Sequence, residues 1–219
     1  MYNEPPQIES LNVWTTPLFV TQNPDHEFLK QDILEHVYAT QAQQSQAVAS
    51  EVAVTAKHQL FESDLGYLEA ENPAVMELRR MLEELISAVA TEVNQEYWPE
   101  GAQGDAHIIE SWYHVTQNGG YHDVHSHPNC SWCGIYYLDP GECELGSRNG
   151  VNRFYDPRVN ADHYADPGTA YLGQHGFWDF EPVEGQIVLF PSYLKHSALP
   201  YFGAKDRVII AFNSVIDLV

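Results

Sequence analysis

In His107-Ile108-Ile109-Glu110-Ser111-Trp112-Tyr113-His114-Val115-Thr116, β-branched and aromatic residues crowd a segment without a helical repeat, the composition of a strand. The segment stands near the start of a change in texture. From residue 104 onward, short runs rich in Ile, Val, Tyr, Phe and Trp lie between Gly, Pro, Asn and Asp, at 107–116, 131–138, 151–155, 169–172, 176–180, 186–190 and 206–215. Many short strands separated by turn residues predict an antiparallel sandwich or barrel.

Upstream the pattern is helical. Asn72-Pro73 pairs an N-cap residue with proline at the first helical position. Val75, Leu78, Leu82, Leu85, Ile86, Val89 and Val93 then form one apolar stripe, which packs on a flat surface such as a sheet. Asn23-Pro24 repeats the start signal, and Phe28, Leu29, Ile33 and Val37 predict a helix to about residue 42. Residues 41–50, rich in Gln, Ala and Ser, fit either a helical extension or a loop. Residues 8–22, with Leu11, Val13, Trp14, Leu18, Phe19 and Val20, predict a leading strand, and 141–169 reads as a long polar insertion. Neither an internal repeat nor a linker interrupts the chain. The expectation is an α+β protein forming a single domain over 1–219, with a strand and supporting helices in 1–103 and a β core in 104–219.

Ten basic residues stand against 31 acidic ones in 219, a formal charge of −21. Such a field repels phosphate backbones and anionic bilayers, so neither nucleic acid nor a membrane is expected as a partner. No apolar run approaches the ~20 residues that span a bilayer, and Met1-Tyr2-Asn3-Glu4-Pro5-Pro6 lacks the parts of a signal peptide. Cys130, Cys133 and Cys143 are odd in number and clustered, a poor disulfide framework. A soluble, cytoplasmic protein is expected.

Chemistry concentrates in three places. Tyr121-His122-Asp123-Val124-His125-Ser126-His127-Pro128 carries an H-x-H pair, whose imidazoles share one side of a strand. Leu189-Phe190-Pro191-Ser192-Tyr193-Leu194-Lys195-His196 supplies a distant third histidine. Three imidazoles suit iron(II), zinc, copper or nickel and leave coordination positions open. Asp123 shares the face of His125 by parity, so Asp123, His125 and His196 form an alternative ligand set; His122 faces away if the strand is regular. A zinc cluster of His125, His127, Cys130 and Cys133 is compatible in ligand type, although a strand over 131–138 would carry Cys133 away.

The third place is Asp206-Arg207-Val208-Ile209-Ile210. Arg207, Ile209, Ala211 and Asn213 share a face, and an arginine on the inner wall of an apolar barrel needs an anion. A guanidinium matches a carboxylate bidentately; a fixed Asp or Glu is the competing partner. Residues 200–206, with Gly203 at the bend, read as a hairpin loop joining the His196 and Arg207 strands. Of the aromatic residues Trp112, Tyr113, Tyr136, Tyr137, Phe190 and Tyr193, most are expected in the core and one or two at a pocket.

These motifs resemble a family of iron(II)/2-oxoglutarate-dependent oxygenases of bacteria and phages. The resemblance is carried by Trp112 to Val115, a Gly119-Gly120 turn, His125-Ser126-His127-Pro128, Cys133-Gly134-Ile135-Tyr136-Tyr137-Leu138, Phe190 to His196, and Arg207 to Phe212-Asn213, with Asp156-Pro157-Arg158 and Trp14 to Leu18 also similar. It covers most of the chain, densest over 110–215. It implies a double-stranded β-helix (jelly-roll, cupin-like) core with helices packed on one sheet. It further implies His125, His127 and His196 as metal ligands, and Arg207 as the residue that holds 2-oxoglutarate. The family's Arg-x-Ser/Thr pattern is broken by Ile209, so a hydroxyl for the carboxylate is sought at Tyr136 or Tyr113; Asn213 is the remaining candidate contact.

The leading expectation is therefore an Fe(II)- and 2-oxoglutarate-dependent dioxygenase hydroxylating a small molecule or peptide, with room for a homodimer. Two other readings stay open: a three-histidine cupin-type metal enzyme that works without 2-oxoglutarate, and a non-catalytic barrel with a structural metal.

Overall fold

The computed structural model describes residues 15–47, 57–158, 167–168 and 176–219. In chain order the elements are β1 (Phe19–Gln22), α1 (His26–Ala47), β2 (Lys57–Glu62), α2 (Pro73–Asn94), β3 (Gly104–His125), β4 (Trp132–Asp139), β5 (Asn152–Tyr155), β6 (Phe177–Phe180), β7 (Gln186–Pro191), β8 (His196–Tyr201) and β9 (Arg207–Leu218). The expected strand at 169–172 and the early part of the leading strand lie outside the described residues.

α2 begins as its sequence predicts. Asn72 accepts hydrogen bonds from the amides of Ala74 and Val75, and Val75, Leu78, Leu82, Ile86 and Val89 are buried. α1 starts later than expected. The Asn23 side chain accepts from the Asp25 amide, and the helix opens at His26. Ile33 and Val37 are buried, but Phe28 is 82% exposed, because it falls outside the arc that Ile33 and Val37 define.

The strands form one antiparallel nine-stranded sheet in the order β1-β7-β4-β9-β3-β8-β5-β6, with β2 also paired to β3. Alternation along the strands divides it into two apolar faces. Tyr113, Val115, Tyr136, Leu138, Ile187, Leu189, Val208, Ile210 and Phe212 pack with the helices. Trp112, Cys133, Ile135, Tyr137, Val188, Phe190, Ile209 and Ala211 form the opposite, inner cluster. The sheet curls around that inner face, with both helices on the outside.

Two expectations are corrected here. Gly119-Gly120 is a bend inside one long strand, β3, and not a turn: Gly119 has φ of 84°, and the pairing with β8 shifts register between Gly120 and His122 and again before His125. β8 and β9, moreover, are no hairpin. Gly120 pairs with Tyr201 and Thr116 with Arg207, so β8 and β9 follow one another along the same edge of β3. Residues 202–206 bridge the bend at 117–119, and the chain keeps its direction instead of reversing. Gly134 is required for a different reason: a Cβ there would lie 2.1 Å from the Phe212 ring.

Candidate metal and co-substrate site

Register explains how distant residues meet. His125 on β3 is the partner of His196 on β8, His196 of Phe154 on β5, and Phe154 of Trp178 on β6. One step inward, His122, Ala198, Asn152 and Phe180 form a parallel row. Side chains directly opposite across a ladder point to the same face. Both rows therefore face the inner cleft, with Trp178 at its edge and 56% exposed.

The candidate ligand atoms of His125, His127 and His196 all lie within 4.8 Å of one another. Nδ1–H of His125 donates to the Asp123 carbonyl (2.8 Å), and Nδ1–H of His196 donates to the Leu194 carbonyl (3.1 Å). Each bond fixes a tautomer with a bare Nε2. Nε2 of His127 is 3.4 Å from Nε2 of His196. His127 lies just past the end of β3, where its amide donates to Ser192 O (3.1 Å) and its ring stacks on Trp112 at 5.4 Å. Burial lowers the His125 and His127 imidazoles to about 4, helped by His122 beside the first and His125 beside the second. Burial also holds His196 well below the ordinary histidine range. All three are neutral at pH 7, the state a metal requires.

Asp123 stands outside this cluster; its carbonyl, and not its carboxylate, serves the site by accepting from His122 and His125. His122 does not face away. The register shifts around it turn its ring into the cleft, 4.0 Å from that of His125 and stacked on His114. The two thiols, Cys130 and Cys133, are 3.6 Å apart and join no histidine in a metal-type cluster among the described residues. A second group, His26, Glu27 and Glu184, lies on the helix side, where Lys30 Nζ is 2.6 Å from Glu184 and supplies its countercharge.

Arg207 lines the same cleft as the three histidines, and so do Ile209, Ala211 and Asn213. It is 2% exposed. Its Nη2 donates to Asn152 Oδ1 (2.6 Å), which also accepts from the Tyr137 hydroxyl (2.9 Å). Its Nε has no partner, and among the described residues no carboxylate lies within ion-pair reach. Thr116, the register partner of Arg207, carries a buried hydroxyl that is likewise unpartnered. Asn213 donates to Glu110 (2.8 Å) while its Oδ1 remains free.

Tyr136 and Tyr113 are corrected: both lie on the helix side. The Tyr136 hydroxyl is 2.6 Å from His26 Nδ1, and the Tyr113 hydroxyl is 2.9 Å from Thr40 Oγ1. Asn152 and Thr116 were missed from sequence, whereas Tyr137 was among the aromatic residues of which one or two were expected at a pocket. Register sets Thr116 opposite Arg207, and a hydrogen bond across the cleft joins Asn152 to it.

Residues 110–213 match the sequence model of a family described as "Putative 2OG-Fe(II) oxygenase". Over this segment the chain is similar to the 2OG-Fe(II) oxygenase family. Iron(II) and 2-oxoglutarate are that family's metal and co-substrate. No curated protein sequence matches the chain. Among solved structures, the chain is similar to a Pseudomonas putida prolyl-4-hydroxylase (18% identity, TM-score 0.57, covering 91% of this chain and 93% of that one). It is also similar to a prolyl hydroxylase from Trichoplax adhaerens in complex with a peptide fragment (16%, 0.58, 90% and 82%). A third is HygX of Streptomyces hygroscopicus, bound to nickel and 2-oxoglutarate (12%, 0.56, 92% and 83%). At these identities the likeness establishes the double-stranded β-helix fold. No helix among the described residues is long and apolar enough to cross a membrane.

Proposed function

We propose that His125, His127 and His196 hold Fe(II), that Arg207 grips the distal carboxylate of 2-oxoglutarate, and that the enzyme hydroxylates a small molecule or peptide. One observation carries the co-substrate half: a buried guanidinium with a free Nε and no acidic partner shares a cleft with three neutral imidazoles. A buried unpaired charge is costly, and a dicarboxylate would repay that cost while reaching toward the imidazoles. Asn152 holds Nη2 and leaves Nε of the fork without a partner. Thr116, and neither tyrosine, supplies the hydroxyl that the sequence lacks at position 209.

The donor set fits the metal. The imidazoles present nitrogen, which iron(II) accepts, and their backbone-held Nδ1 atoms orient Nε2 inward. Substituting imidazole for the frequent carboxylate raises the site's charge by one, which favours an anionic co-substrate. Fe(II) and 2-oxoglutarate together supply decarboxylation to succinate and CO2, coupled through O2 to oxidation of a substrate C–H bond. Arg207 in the cleft speaks against both the 2-oxoglutarate-independent enzyme and the purely structural metal.

Anaerobic addition of Fe(II) and then 2-oxoglutarate should produce a weak visible charge-transfer absorption, and exposure to O2 should yield succinate. Absence of the band at saturating 2-oxoglutarate would overturn this reading.

A further inference from the structure

Cys130 and Cys133 have no role in the site above, yet they border it. Cys133 is buried on β4 and lines the cleft. Cys130 is partly exposed in the connection from β3 to β4, the same connection that carries His127. Their sulfurs are 3.6 Å apart, and Cys130 Sγ–H also reaches the His127 carbonyl at 3.7 Å. Asn129, immediately before Cys130, has φ of 64°, in the left-handed region that asparagine tolerates. Ser192 ties the connection down at both ends, accepting from the His127 amide and donating to the Cys130 carbonyl (2.7 Å).

We propose that Cys130 and Cys133 form a dithiol that a peroxide oxidises to a disulfide, and that closure weakens metal binding through His127. The second half rests on the assignment of His127 as a ligand. Cys130 Sγ attacks a peroxide oxygen, forming S–O as O–O breaks; the departing hydroxide takes the thiol proton and leaves as water. Cys133 Sγ then attacks the Cys130 sulfur, S–S forms as S–O breaks, and a second water departs with the second thiol proton. Two thiols lose two electrons, and one hydrogen peroxide is reduced to two waters.

The sulfurs must close from 3.6 Å to about 2.05 Å. Cys130 also loses the S–H that it offers to the His127 carbonyl. The connection that sets His127 against Trp112 must therefore shift. Changes in the support of a metal ligand typically cost 10–100-fold in affinity.

The test uses the full chain, metal-free, treated with hydrogen peroxide and quenched. Intact mass should fall by about 2 Da, the two hydrogens lost on closure, with peptide mapping placing the bond at 130–133 and dithiothreitol reversing it. Ni(II) affinity by calorimetry should drop tenfold or more on oxidation and recover on reduction. C133S and C130S should each abolish both effects. Oxygen addition at either cysteine without a cross-link, a bond to Cys143, or a disulfide that leaves Ni(II) affinity unchanged would each overturn the proposal. Reduced protein that binds no Ni(II) would instead sink the metal assignment and with it the coupling, while the mass change alone would still decide the dithiol.

Discussion

His125 and His196 are direct register partners, and their rings stand 4.3 Å apart although the residues belong to β3 and β8. The ladder, and not a flexible loop, sets the spacing of these two imidazoles, so the pair is preorganised.

Removing either should therefore abolish metal binding without unfolding the protein. H196A is expected to lower Ni(II) affinity by more than about 100-fold, since the ligand itself is lost and not only its support. Wild-type protein at 100 times the dissociation constant should gain about 2.7 kcal/mol of stability from the metal; H196A should gain none. Calorimetry and thermal melts with and without Ni(II) check both. An undiminished affinity in H196A would remove it from the ligand set.

Arg207 separates an anion site from a structural arginine. R207M should leave Ni(II) affinity intact while reducing 2-oxoglutarate affinity by roughly 10–150-fold, the worth of about 1.5–3 kcal/mol for a charged hydrogen bond. The metal-free variant should unfold no earlier than wild type, because an uncompensated buried charge has been removed. A large loss of apo-protein stability would mean that the guanidinium serves the fold.

T116V deletes a buried hydroxyl with no partner and keeps the shape of the side chain. Apo stability should be unchanged or slightly higher, and 2-oxoglutarate should bind about 2–10-fold more weakly, the net worth of one hydrogen bond. Equal 2-oxoglutarate affinity in T116V and wild type would exclude Thr116 from the carboxylate site.

Acid should destabilise the metal-free protein. His125 and His127 fall from an ordinary value near 6.5 to about 4, chiefly through burial. Burial also lowers His196, His122 and His114, the last despite Glu62 beside it. Between these values the unfolded chain binds more protons than the folded one, so stability rises with pH and is lost as pH falls from about 6.5 toward 4. Ni(II) affinity should be nearly flat from pH 8 to 6 and collapse below about 5. Urea melts across this range provide the check; stability that increased on acidification would contradict the neutral-imidazole site.

G134A places a methyl group 2.1 Å from the Phe212 ring and 2.8 Å from Leu189 Cδ2, so the packing on the helix side of the sheet must shift. A loss of about 1–3 kcal/mol in unfolding free energy is expected. An unperturbed melt would mean that this corner of the sheet yields easily.

The sequence by itself determined what local pattern can encode. It contained the α2 stripe from Val75 to Val93, the cap at Asn72, the strand runs from residue 107, and the shared face of Arg207, Ile209, Ala211 and Asn213. It also nominated His125, His127 and His196, through spacing joined to family resemblance. Tertiary structure decided whatever depends on pairing. Counting alternation back from His125 puts Tyr113 in the cleft and His122 outside it. The register shifts around His122 reverse both, because a slip of one residue exchanges the faces of a strand. The same pairing brings Thr116 opposite Arg207, and it lays β8 and β9 end to end where a glycine-containing loop suggested a hairpin. No local propensity records which strand lies beside which; that follows only when the whole sheet closes over its buried face.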